Sequence, residues 1–227
     1  AYDLDGINLD FENMDPADQE LYTAFVARAA KVLHEHGAVV AVDITRKKEI
    51  DNWWTSCYDR TGLGEVADYV CLMTYDQYTT CPGPCASIGW VEQSVQATLS
   101  EVPADKLLMG IPLYGYDWIG NSKKALTLED FSLLANNGRL TLLSGDVWRG
   151  TTWLTSPTWR DSTGTNYFKF KDQHGRTHES WYESDESIEL KLDLINQYDL
   201  AGACSWRYGY AVGKEIIWDS YREKLNP

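Results

Sequence analysis

The run Asp5-Gly6-Ile7-Asn8-Leu9-Asp10-Phe11-Glu12-Asn13, near the start of the chain, constrains the fold more than any other stretch. In an extended strand alternate side chains point the same way. Asn8, Asp10 and Glu12 therefore line one face, and Ile7, Leu9 and Phe11 line the other. Alternating acids usually mark a solvent-facing side, but here both faces are expected to be buried. One is apolar, and the other is a row of acids too ordered for a solvated edge. A buried parallel strand ending in carboxylates is how a β/α barrel presents chemical groups at its C-terminal rim. Asp15-Pro16 then reads as a helix start, with an N-cap acceptor followed by proline at the first helical position.

The rest of the chain continues as a β/α alternation. Strands are expected at 4–12, 37–44, 68–76, 106–114 and 199–206. Helices are expected at 16–36, 59–67, 89–101, 185–198 and 213–225. Short apolar runs separated by helical patterns argue for parallel βαβ units. The segment 117–184 breaks the rhythm and is too long for a plain connection. Within it Thr127-Leu128-Glu129-Asp130 opens a helix ending at Asn137-Gly138, and 166–171 with 176–183 reads as a hairpin. This segment is expected to be a small α+β insertion before the last βα unit, forming one wall of a cleft. At 227 residues and 44% hydrophobic, the chain 1–227 is long enough for one such domain.

Composition narrows the function classes. A net charge of −14 argues against a nucleic-acid partner, which needs clustered lysine and arginine. No apolar run approaches the length of a membrane span, so no membrane partner is expected. The five cysteines are an odd number; Cys71 and Cys204 fall in expected buried strands and read as small hydrophobic fillers. Cys81-Pro82-Gly83-Pro84-Cys85 has the spacing of a small local disulfide. No second Cys or His pair stands at zinc-site spacing, so neither a metal nor a cofactor is expected. His34, His36, His174 and His178 are expected on helix or hairpin surfaces, without a chemical role. The 10 tryptophans and 14 tyrosines fill a core by default, though several fall at expected strand ends or in loops.

The opening run resembles the DGxDxDxE motif of glycoside hydrolase family 18, the chitinase-like enzymes. It is most similar to the branch with asparagine at the first inner position, which includes spore-cortex and peptidoglycan N-acetylglucosaminidases. Three further segments resemble that branch in the right order: Asp68-Tyr69-Val70-Cys71-Leu72-Met73-Thr74-Tyr75-Asp76, Leu107-Leu108-Met109-Gly110-Ile111-Pro112-Leu113-Tyr114-Gly115-Tyr116, and Leu200-Ala201-Gly202-Ala203-Cys204-Ser205-Trp206-Arg207.

The resemblance implies a TIM-type (β/α)8 barrel in which the motif strand is the fourth of eight. Counting forward, this chain supplies strands four to eight, so the first three βα units are expected to lie outside it. A fragment of a longer enzyme is the favoured account; pairing with another copy and an open sheet that closes differently are the others. An open barrel edge also offers a route to self-association. The implied reaction is retaining hydrolysis of a polysaccharide containing N-acetylglucosamine, peptidoglycan or spore cortex first and chitin second, assisted by the substrate's own acetamido group. The implied setting is extracellular, at a bacterial cell wall or spore. A non-catalytic sugar-binding protein on the same scaffold is the competing class.

The same resemblance assigns roles. Glu12 is the implied general acid, kept protonated by burial and by the Asp10 charge. Asp10 orients the acetamide N–H, and Tyr75 donates to the acetamide oxygen. Asn8, Asp76 and Met73 belong to the substrate-binding set, Trp206 forms the floor under the sugar, and Tyr114 and Tyr116 are candidates for the cleft wall. Asn8, read as a satisfied buried amide, removes one like charge from the inner row and should let Asp10 ionise more readily.

Overall fold

The fold is known from a computed structural model, which describes residues 4–47, 55–137, 139–141 and 147–225. In chain order its elements begin with β1 (Gly6–Leu9), α1 (Gln19–His34), β2 (Val39–Thr45), α2 (Arg60–Val66), β3 (Tyr69–Met73), α3 (Ile88–Thr98) and β4 (Leu107–Pro112). They continue with β5 (Tyr114–Ile119), β6 (Ser122–Thr127), α4 (Leu128–Asn137), β7 (Arg139–Thr141), β8 (Val147–Arg160), β9 (Thr165–Asp172) and β10 (Thr177–Tyr182). The chain closes with α5 (Asp185–Gln197), β11 (Gly202–Trp206) and α6 (Glu215–Leu225). Two compact units emerge: Ala1–Thr74 with Glu92–Gly110 and Ile195–Cys204, and Tyr75–Val91 with Ile111–Leu194 and Ser205–Pro227.

The first unit is built on the parallel strands. β1 pairs with β2, β2 with β3 and β3 with β4, all parallel, and β11 follows β4 in the five-stranded sheet. A helix separates β1 from β2, β2 from β3 and β3 from β4, as parallel pairing requires. Alternate residues Val40, Val42 and Ile44 of β2 are fully buried, with Val70 and Leu72 of β3 and Leu107 and Met109 of β4. These are the apolar runs the sequence marks as strands.

Local chemistry sets the ends of the helices. The Asp15 carboxylate accepts from the Ala17 N–H at 2.9 Å, and Pro16 opens a 3-10 turn that leads into α1. Asp59 accepts from the Gly62 N–H at 3.0 Å to start α2. The Lys106 ammonium closes its other end by donating to the Gly64 and Ala67 carbonyls, each at 2.9 Å. α1 buries Tyr22, Val26 and Ala30 at the four-residue spacing of one helical face. A second apolar stripe, Leu21, Phe25 and Val32, is exposed on the same helix.

β1 departs from expectation. It spans four residues rather than 4–12, and Asn8, Asp10, Phe11 and Glu12 are all exposed. The reason is its place in the sheet: it is an edge strand, paired with β2 alone among the described residues, so neither face is covered as an interior strand's would be. Gly6 is a packing requirement here, because a Cβ at that position would lie 2.2 Å from the Val39 carbonyl oxygen.

The second unit carries an antiparallel sheet of order β6-β5-β10-β9-β8-β7, richer than the single expected hairpin. The β9–β10 hairpin is present, turning at Gly175 (φ 75°), and a second hairpin, β5–β6, turns at Gly120 (φ 59°). The sheet begins at Tyr114, the residue read from sequence as the end of a barrel strand. α4 starts as expected: the Asp130 N–H donates to the Thr127 hydroxyl and the Thr127 N–H donates to the Asp130 carboxylate, both at 3.0 Å. Leu126, Phe131, Leu134, Phe168 and Phe170 form a core between this helix and the sheet.

Three further expectations are corrected in detail. His178 is fully buried, with Nδ1 at 2.6 Å from Asp117 and Nε2 at 3.3 Å from Asp172. It sits on the inner face of β10, where two carboxylates take the place of solvent. Cys81 and Cys85 are both free, because Cys85 is turned into the interior while Cys81 is exposed. Cys204 is half-buried rather than a core filler.

Candidate active site

The acid-bearing segment belongs to the first unit. Asp10 and Glu12 follow directly after β1, and Asn13 reverses the chain there with a left-handed backbone (φ 57°). Two tyrosines anchor this segment by its backbone: Tyr22 of α1 donates to the Leu9 carbonyl at 3.3 Å and Tyr58 to the Phe11 carbonyl at 2.9 Å. Burial, with the nearby acids adding to it, raises both phenols well above their ordinary range, so they remain neutral donors. The burial expected to keep Glu12 protonated is not found, since Glu12 is exposed at this edge.

Asn8 is exposed rather than buried, but it is satisfied. Its Nδ2 donates to Asp43 Oδ2 at 2.9 Å, and its Oδ1 accepts from the Cys71 thiol at 3.9 Å. Asp43 was missed in the sequence. The available signal was a lone carboxylate on alternate positions of the apolar run Val39-Val40-Ala41-Val42-Asp43-Ile44-Thr45, in register with Cys71 on β3. Partial burial raises the Asp43 carboxyl. Its hydrogen bond from Asn8 pulls the other way, the Asp10 charge raises it again and Cys71 lowers it. Met73, at the end of β3, is half-buried.

The second unit holds Tyr75, Asp76, Tyr114, Tyr116 and Trp206. Asp76 takes a left-handed backbone (φ 58°), an uncommon conformation outside glycine that aspartate tolerates better than most residues. Its Oδ1 accepts from Tyr114 at 2.5 Å, from Tyr116 at 2.6 Å and from the Cys85 thiol at 3.8 Å. Burial, reinforced by Cys85 and Asp76, raises the Tyr114 hydroxyl; burial, the hydrogen bond to Asp76 and its charge raise that of Tyr116. Burial first, then the Asp76 charge, does the same to Cys85. Asp76 is therefore a fixed acceptor held by neutral donors. Nothing in the sequence signalled the Cys85 contact.

Tyr114 packs edge-on against Tyr75 at 6.4 Å and Tyr116 at 5.5 Å, and Cys85, Tyr114, Tyr116 and Trp118 are the buried centre of this aromatic cluster. Tyr114 and Tyr116 are thus core residues that hold Asp76, with Tyr75 half-buried at their margin. Trp206 is 49% exposed at the end of β11, so it is not ordinary core. Its carbonyl accepts from the Leu113 N–H at 2.8 Å, and the Trp206–Arg207 peptide is cis.

A parallel sheet built from β/α units, with carboxylates immediately beyond its first strand, gives the chain the fold of the β/α-barrel class. The chain belongs to the glycosyl hydrolases family 18, whose model matches residues 1–211.

It is similar to the uncharacterized glycosylase YvbX of Bacillus subtilis, 30% identical over 96% of this chain and 60% of that protein. It is 28% identical to the cortical fragment-lytic enzyme of the same organism, over 92% of this chain and 47% of that one. A chitinase structure from Chromobacterium violaceum superposes with a TM-score of 0.84 at 28% identity, covering 98% of this chain and 67% of the other. The chain thus spans about half to three-fifths of the length of the curated relatives it matches.

Proposed function

We propose that the chain carries the acid-bearing part of a retaining glycoside hydrolase acting on polysaccharide that contains N-acetylglucosamine, with bacterial cell-wall or spore-cortex peptidoglycan as the preferred polymer and an extracellular, wall-associated setting. The single observation that carries this reading is the segment Asn8 to Glu12, with both acids kept immediately beyond a parallel strand and anchored by Tyr22 and Tyr58. Similarity to a cortical fragment-lytic enzyme supports the choice of polymer.

In the proposed reaction Glu12 gives its proton to the glycosidic oxygen as the C1–O bond breaks. The acetamido carbonyl oxygen of the same sugar attacks C1, forming an oxazolinium with inversion at that carbon. Asp10 accepts the acetamide N–H and offsets the positive charge. Water then attacks C1, Glu12 takes the water's proton, and the C1–acetamide bond breaks, so the net outcome is retention. Tyr75 donates to the acetamide oxygen, Trp206 stacks under the sugar, and Asp76, Met73 and Asn8 complete the binding set.

The test is release of reducing ends from cortex peptidoglycan and from a chitin oligosaccharide, comparing the chain with Glu12→Gln. Release by the parent that falls at least 100-fold in the variant, in line with the loss of a general acid, supports the reading. Equal release by both proteins, or binding of the sugars without turnover by the parent, would replace it with a different acid or with a sugar-binding role.

A further inference from the structure

The antiparallel sheet of the second unit has two different faces. One packs on α4 through Phe168 and Phe170, and the other carries Tyr116, whose hydroxyl holds Asp76. On that second face, register pairing sets Tyr116 of β5, Trp181 of β10 and Tyr167 of β9 side by side. A cation lies on the ring at each end of this row. The Lys123 ammonium of β6 sits 3.7 Å over the Tyr116 ring, and the Arg160 guanidinium of β8 sits 4.5 Å over the Tyr167 ring. The strands that carry the two rings are separated by two spacings, about 10 Å.

Charge sets the row apart. In a chain of net charge −14 a surface cation has acids in excess to pair with. Lys123 and Arg160 nevertheless form no ion pair among the described residues, and each rests on an aromatic ring instead. The acid on this face of β5, β9 and β10 is Glu179, and it is already taken. The Lys169 ammonium donates to it at 3.2 Å and the Trp181 indole N–H at 3.1 Å. A cation over a ring contributes only about 0.5–1 kcal/mol at an exposed site, and a guanidinium so held keeps its fork of N–H donors for a carboxylate. Trp181, between the cations, is half-buried. Its ring lies 4.5 Å from that of Tyr167 and its N–H is fixed on Glu179, so the indole is pinned and its exposed part is apolar.

We propose that this face binds a carboxylate-bearing glycan, with Trp181 under a sugar ring and Arg160 and Lys123 on the carboxylates of a peptide that branches from it. The proposal rests on the reading of the chain as a hydrolase of N-acetylglucosamine polymers and names the substrate within that class. Chitin is neutral along its whole length and gives these cations nothing to bind, whereas the peptide stems of peptidoglycan end in carboxylates. Arg160 and Lys123 are thus specificity residues, and neither touches the reacting atoms.

The experiment is calorimetric titration of the full chain in the Glu12→Gln background, where turnover does not consume the ligand. The probes are a disaccharide peptide from peptidoglycan, the same compound with its peptide carboxylates amidated, the peptide-free disaccharide and a chitin tetrasaccharide. Arg160→Gln and Lys123→Gln are added singly, and thermal melts check that both fold. The Kd for the disaccharide peptide is expected to rise about 10-fold in Arg160→Gln and roughly 3-fold in Lys123→Gln, as for lost charge-assisted hydrogen bonds. It should also rise with added salt. Arg160→Lys, which keeps the charge without the fork, should recover part of the loss. The amidated probe should bind the parent no better than the acidic one binds Arg160→Gln, and neither substitution should move the Kd for chitin. An equal loss for chitin and for the disaccharide peptide would reduce Arg160 to a structural residue and overturn the proposal. Tight, Arg160-dependent binding of the peptide-free disaccharide would overturn it too, by moving the contact to the lactyl carboxylate of the sugar. If the chain with Glu12 intact cleaves neither polymer, the hydrolase reading fails, and Arg160-dependent capture of the acidic probe still upholds the binding face. Cleavage of peptidoglycan together with undiminished affinity in Arg160→Gln would do the reverse.

Discussion

The Tyr116 hydroxyl lies 2.6 Å from Asp76 Oδ1, and it shares that oxygen with the Tyr114 hydroxyl and the Cys85 thiol. Among the described residues all three of these donors converge on one carboxylate oxygen, and on the proposed role of Asp76 the second oxygen is the one that meets the sugar. On the proposed role of Asp76, Tyr116→Phe keeps the ring in the cluster but loosens the carboxylate. KM for an N-acetylglucosamine oligosaccharide should rise roughly 3- to 10-fold with kcat nearly unchanged, as expected for a lost hydrogen bond to a charged group. Steady-state kinetics with one defined oligosaccharide checks this, and a fall in kcat at constant KM would show that Asp76 acts in the chemical step instead.

Lys191 and Glu183 form a fully buried ion pair at 2.7 Å, with Ser187 donating to the same Glu183 oxygen. Glu183 Oε1 is buried without a hydrogen-bond partner. Lys191→Met leaves that carboxylate uncompensated and is expected to cost about 3–5 kcal/mol at neutral pH. Burial already raises the Glu183 carboxyl and Lys191 opposes it, so losing the lysine lets Glu183 take a proton and shrinks the penalty at lower pH. Urea unfolding at pH 7 and pH 5 measures both, and a cost that does not fall with pH would contradict the account.

Asp172 accepts from the His174 and Arg176 N–H groups, each at 2.9 Å, and from the Arg176 guanidinium at 2.7 Å. Burial alone would raise its carboxyl, but these donors, led by Arg176, outweigh burial and hold it well below the usual aspartate range. A depressed folded pKa gives stability that is complete above the unfolded value, near pH 4, and is lost as pH falls through the folded value. The Tm difference between the parent and Asp172→Asn should therefore be constant above about pH 5 and close progressively below pH 4. Melting curves between pH 2 and pH 7 provide the check, and a gap that widens on acidification would reverse the sign.

The reciprocal pair at the start of α4 yields a smaller effect. Thr127→Ala removes the hydroxyl that accepts from the Asp130 N–H and should cost about 1 kcal/mol in unfolding free energy. Thr127→Ser should recover most of it.

Legibility in the sequence followed burial and locality. The parallel strands could be read because Val40, Val42, Ile44, Val70 and Leu72 are apolar for the same reason that they are buried. Helix starts at Asp15, Asp59 and Thr127 could be read because a cap is a contact between near neighbours. The β5–β6 hairpin was hidden because Tyr114, Tyr116 and Trp118 look like the tail of a barrel strand, with polarity no guide when Asp117 is itself buried. Asp117 and His178 are 61 residues apart and satisfy each other, a pairing that no local pattern announces. The site shows the same division. Asp10 and Glu12 announce themselves by spacing, whereas Asp43 on β2 acquires meaning only through Asn8, 35 residues away, and Cys85 only through the way its loop folds back onto Asp76.

The contact between Gly6 and Val39 separates two kinds of selection inside one short motif. Space forbids a side chain at Gly6 whatever the chain does for its host, whereas Asp10 and Glu12 carry no such steric burden. A descendant that gave up chemistry could drift at both acids within a few substitutions and still keep the glycine. Among distant kin, the glycine therefore records shared architecture, and, on the roles proposed for them, the two acids record whether the trade is still practised.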